Sequence, residues 1–98
     1  MSTNTTAATE TIRREVDLPP VTVLDRLALS DKGFVFDPVT GNSFTANATG
    51  LCLIKLFQRE RDLSELVAQV TSEFDLTDAD AERDILDFSS LLRGTLRP

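Results

Sequence analysis

The chain has 98 residues, with 10 Lys+Arg against 16 Asp+Glu, no histidine and a formal net charge of −6. At 10.8 kDa it holds one small domain, which rules out several domains and a deep substrate cavity of its own. Without histidine neither a Ser–His–Asp nor a Cys–His arrangement can form, and one cysteine, Cys52, cannot by itself make a disulfide or a zinc site. The four glycines, Gly33, Gly41, Gly50 and Gly94, are isolated and form no phosphate loop. A pI near 4.4 describes a surface that repels phosphate backbones and anionic lipid. No apolar run approaches the roughly 20 residues of a membrane span, and Met1 to Thr11 lacks the apolar stretch of a signal peptide. Composition therefore predicts a cytoplasmic domain with no metal, no cofactor and no activity of its own, binding neither nucleic acid nor membrane.

In chain order, residues 1–18 read as a flexible polar tail and 19–98 as the domain. Pro19-Pro20 closes the tail and holds the next residues extended, so Val21, Val23 and Leu24 suggest a short strand or extended segment. From Arg26 to Ala46 the pattern has a period near two. Strands are predicted near 26–30, 33–37 and 42–46, the first turn at Asp31-Lys32-Gly33. Phe34 and Phe36 share one face, with Val35 on the other; Phe44 and Ala46 oppose Ser43 and Thr45. In the second turn Asp37 caps, Pro38 presets φ, and Gly41 supplies the positive-φ residue.

Helical chemistry takes over at Asn47, with helices predicted at about 47–58, 62–74 and 77–93. Asn47 is a good N-cap, and between Leu51 and Phe57 only Lys55 is polar. A helix so nearly apolar all round is buried on several sides or keeps one side for a partner. Asp62 with Glu65 forms a variant capping box, opening a face of Leu63, Leu66, Val67, Val70 and Phe74. Thr77 opens the last helix, whose face is Ala81, Ile85, Phe88 and Leu92, ended by Arg93-Gly94. Three antiparallel strands and then three helices make an α+β domain.

The run GFVFDPVTGNSFTANATGLCLI, with AERDILDFSSLL further along, resembles the PqqD family, small peptide chaperones of pyrroloquinoline-quinone (PQQ) biosynthesis that typify the RiPP recognition element. The similarity spans roughly Arg26 to Leu96. Its most specific parts are Asn47-Ala48-Thr49-Gly50 and Arg83-Asp84-Ile85. Asp37 to Phe44 resembles a PqqD-like branch found near proteins related to HPr kinase. Two stretches differ from the pattern of the PQQ-pathway members: Gln58-Arg59-Glu60-Arg61 and Phe36-Asp37-Pro38.

The resemblance implies a winged helix-turn-helix-like fold and a binding activity without catalysis. A precursor (leader) peptide would add as a further strand along the third strand, against the last helix, for delivery to a modifying enzyme such as a radical-SAM protein. On that basis Ser43, Phe44, Thr45 and Ala46 are the expected strand-side contacts. Leu86 and Ser90, one step off the core face of the last helix, are the expected helix-side contacts. Asn47, Thr49 and Asp84 are expected to be structural: caps at the strand-to-helix corner and a hydrogen bond or ion pair. Two further readings stay open, a docking subunit for a kinase-like or synthase partner and a winged-helix DNA binder. The acids of the last helix argue against DNA. Monomer and homodimer both stay open.

Overall fold

The computed structural model describes residues 14–96. The elements are α1 (Val21–Asp25), β1 (Ala28–Leu29), β2 (Phe34–Phe36), β3 (Ser43–Thr45), α2 (Ala48–Phe57), α3 (Leu63–Glu73) and α4 (Asp78–Thr95). The strands form one antiparallel sheet in the order β1-β2-β3, and α2, α3 and α4 complete the α+β architecture.

Each long helix begins where its capping chemistry places it. The Asn47 side chain accepts from the Gly50 amide at 2.8 Å, Asp62 from Glu65 at 3.1 Å and Thr77 from Asp80 at 3.1 Å. Asp62 has a further helper: Glu60, two residues ahead of it, accepts from the Asp62 amide at 3.0 Å. The buried residues Leu53, Ile54 and Phe57 of α2, Leu66 and Val70 of α3, and Ala81, Ile85 and Leu92 of α4 make the core, closed on the sheet side by Val35. Phe34 and Phe36, on the opposite sheet face from Val35, are exposed.

Three expectations are corrected. Val21–Asp25 is a one-turn helix and not a strand: the Pro20 carbonyl accepts from the Val23 and Leu24 amides, burying Val23 and Leu24 together. Neighbouring side chains of a strand would point to opposite faces, so burial overrides the β preference of the two valines. The packed part of the chain also starts before Pro19. Glu15 bridges to Asp62, Val16 donates to the Arg61 carbonyl, and Val16 and Leu18 are buried in the core. Of the expected tail, residues 1–13 lie outside the described residues. Last, Gly94 does not end α4, which runs to Thr95 with Leu96 buried behind it as its C-cap.

Two turns fix the sheet. Gly41 takes φ +82°, and its amide closes the loop on the Asp37 carbonyl at 2.8 Å. Gly33 takes φ +99°, and a Cβ there would lie 2.5 Å from the Ala46 carbonyl oxygen. Gly33→Ala thus combines a left-handed backbone with a backbone clash, and is expected to destabilise by about 2 kcal/mol or more. Urea titration checks this; a midpoint unchanged from wild type refutes it.

Asp37 is 1% exposed and receives Nε and Nη2 of Arg26 at 2.9 and 2.8 Å, as well as the Val39 amide at 3.0 Å. The Arg26 guanidinium holds its carboxyl down at about 2, from an ordinary 3.8, against the upward push of burial. A depressed native pKa contributes stability that is complete above the unfolded value and lost as pH falls through the native one. The melting-temperature advantage of wild type over Arg26→Gln is therefore expected to be constant above about pH 5 and to shrink between about pH 4 and pH 2. Thermal melts across that range test it; a gap that widens on acidification counts against the assignment.

Candidate functional site: the β3 edge and its groove

β3 lies at the edge of the sheet, and its register decides which backbone groups are spoken for. Ala46 donates to the Gly33 carbonyl and Asp37 to that of Asn42, both at 2.8 Å, and Val35 pairs with Phe44 between them. Asn42, Phe44 and Ala46 therefore turn their amides and carbonyls toward β2. In an antiparallel pair the intervening residues point the other way, so Ser43 and Thr45 direct theirs away from β2, to the open edge. Among the described residues no strand pairs with that side. The opposite edge is β1, only two residues long.

The residues flanking β3 meet α4 on one side and line a groove on the other. At one end the Asn42 side-chain amide reaches the Thr95 carbonyl at 3.5 Å. At the other, a groove of about 450 Å³ opens between the start of α2 and the middle of α4. Asn47, Thr49, Gly50 and Leu53 line one wall; Asp84, Asp87, Phe88 and Leu91 line the other. Gly50 permits the two helices to come this close, since a Cβ there would meet Ala46 Cβ at 3.1 Å and Phe88 Cζ at 3.3 Å. Phe88 is held from behind by Phe57, ring centroids 6.4 Å apart. Leu91 is 54% exposed with no described neighbour to cover it. The arrangement offers main-chain hydrogen bonds beside an apolar slot with two carboxylates at its rim.

Of the expected residues, Asn47, Thr49 and Asp84 line the groove, and none of the expected peptide contacts does. Ser43 and Thr45 supply the outward backbone groups, while Phe44 and Ala46 pack inward on the core. Asn47 caps α2 as expected, and with Thr49 and Asp84 it also lines the groove, so the two most specific motifs face each other across it. Asp84 pairs loosely with its neighbour Arg83, at 3.8 Å.

Leu86 and Ser90 do not line the groove, and this expectation is corrected. At about 100° per residue, Asp84, Asp87 and Leu91 lie on one flank of the buried stripe, Leu86 and Arg93 on the other. That second flank faces the N-terminal segment, where Arg93 donates to the Asp17 carbonyl. Ser90 points away from the core. Sequence reasoning misses Leu91 because the helical period separates core from non-core but does not say which flank a strand will approach.

Cys52 is half-buried, and burial pushes its thiol pKa up, away from a reactive thiolate. Among the described residues no three His, Cys, Asp or Glu side chains gather as metal ligands, and no helix is long and apolar enough to cross a membrane.

Comparison with known proteins gives the family and a similar fold. The family model described as coenzyme PQQ synthesis protein D (PqqD) matches residues 32–95. The chain belongs to the PqqD family. Among solved structures it is similar to one titled lasso peptide synthetase B1 complexed with the leader peptide, at 24% identity and a TM-score of 0.61, over 74% of this chain and 88% of that one. No curated protein matches the sequence.

Proposed function

We propose that this protein is a non-catalytic, cytoplasmic peptide adaptor. An extended segment of a precursor peptide adds as a fourth strand along β3, places alternate side chains in the slot beside Leu53, Phe88 and Leu91, and is presented to a peptide-modifying enzyme, a radical-SAM protein or similar. The orientation of the Ser43 and Thr45 backbone groups toward an unpaired edge carries this reading, because strand addition draws its affinity from such groups and its selectivity from neighbouring pockets. The similar lasso peptide synthetase B1 was solved with a leader peptide, which supports a peptide as the ligand class. The absence of histidine supports binding over turnover.

The test starts by sequencing peptides that co-purify with the tagged protein from its own cells, then titrating the one recovered by calorimetry. Leu91→Asp would place a charge in the apolar slot and is expected to weaken binding by about tenfold or more, while Leu86→Asp, on the other flank, leaves it within about twofold. Equal loss from both substitutions would move the peptide off this groove.

A further inference from the structure

The fold leaves a second groove on the other side of α2, and its chemistry is different. About 650 Å³ in volume, it runs between the β1–β2 turn, α2 and α3. One wall is Ala48, Leu51, Cys52 and Lys55 of α2, at offsets of 0, 3, 4 and 7, continued by Arg59 just past the helix end and distinct from the core-facing Leu53, Ile54 and Phe57.

Charge is segregated to the same place. Both lysines of the chain, Lys32 and Lys55, line this groove together with Arg59. Of the other described cations, Arg61 donates to the Pro19 carbonyl, and Arg14, Arg26, Arg83 and Arg93 each pair with a carboxylate. Lys32, Lys55 and Arg59 do not, although Asp31 and Glu73 lie on the groove's margin; Arg59 reaches only the Gln69 amide oxygen, at 3.3 Å. On a chain of net charge −6, an acidic partner is repelled nearly everywhere else.

We propose that this groove docks an acidic amphipathic helix of a partner protein, about three turns long, with leucine-like side chains over Leu51 and Cys52 and carboxylates meeting Lys32, Lys55 and Arg59. Walls from α2 and α3, the half-buried Leu51 and Cys52 and a cationic rim suit a helix-in-groove mode, and the length of α2 sets the docked helix at roughly 15 Å. The kind of partner rests on the adaptor reading: a domain that hands on a peptide must also hold the receiving enzyme, and here the two surfaces lie on opposite sides of α2. Only Asn47 lines both.

The test uses the full chain, isotopically labelled, and two synthetic amphipathic helices of about four turns, identical except that one carries glutamate where the other carries lysine. The glutamate peptide is expected to shift the amides of Lys32, Leu51, Lys55 and Arg59 saturably, and the lysine peptide not to. Lys55→Glu with Arg59→Glu should weaken the glutamate peptide by about tenfold or more, with an unchanged circular-dichroism spectrum. Thr45→Pro, which disables only the β3 edge, should leave it untouched, so failure here and failure of the adaptor reading are told apart. Equal binding of both peptides, no saturable binding, or shifts centred on Thr45 and Leu91 would overturn the proposal. So would self-association in sedimentation that the double reversal abolishes, which would give the groove to a second copy.

Discussion

Thr45→Pro is expected to lower affinity for the recovered precursor peptide by about tenfold or more, with little change in melting temperature. The Thr45 amide points away from β2, so proline removes no hydrogen bond from the existing ladder, and edge strands tolerate it. What it removes is a donor the incoming strand needs. A lost main-chain hydrogen bond is worth about 1 kcal/mol, more where its partner is left buried and unsatisfied, and the ring additionally blocks close approach. Phe44 before it is already extended, as the residue ahead of a proline prefers. Phe44→Pro provides the contrast: its amide faces β2 within the ladder, so stability as well as binding should fall. Calorimetry with parallel melts separates the two, and a Thr45→Pro variant that binds as wild type would remove β3 from the site.

Phe57→Ala is expected to cost the most stability of any substitution considered, about 3–5 kcal/mol. Phe57 is 1% exposed and among the largest fully buried side chains. Against the roughly 5–15 kcal/mol available to a domain this size, that loss leaves little margin. The effect also reaches the peptide groove, since Phe57 backs Phe88. With the ring gone, Phe88 can sink into the cavity and open the slot beside Leu91. Chemical denaturation gives the stability loss, and calorimetry at low temperature gives the affinity of what remains folded. A loss below about 1 kcal/mol would mean that the core refills the space.

What the sequence made legible is what short-range chemistry decides. Asn47, Asp62 and Thr77 are caps because their side chains reach amides three residues on. Gly41 takes positive φ because its loop requires it. The faces of α3 and α4 arise from a period of 3.6. The sequence-level errors share another cause, in that each depends on a neighbour distant in the chain. Val16 and Leu18 show no period, and are buried only because Glu15 bridges to Asp62. The Val21–Asp25 turn exists because α2 needs Val23 and Leu24 beneath it, with Gln58 donating to the Leu24 carbonyl. The choice of Leu91 over Leu86 depends on which flank of α4 the sheet approaches, and the pair of Arg26 with Asp37 joins residues 11 apart with no pattern between them.

The Arg26–Asp37 pair also limits how the domain can be moved into another protein. The family match begins at residue 32, and a fragment cut there keeps Asp37 while discarding Arg26. It also loses Val16, Leu18, Val23, Leu24 and Leu27 from the core and exposes β2 as a raw edge. A graft by family boundary would thus carry a carboxylate stripped of its guanidinium beside a new aggregation-prone strand. A portable cassette has to start no later than Arg14, whose carbonyl accepts from the Leu63 amide.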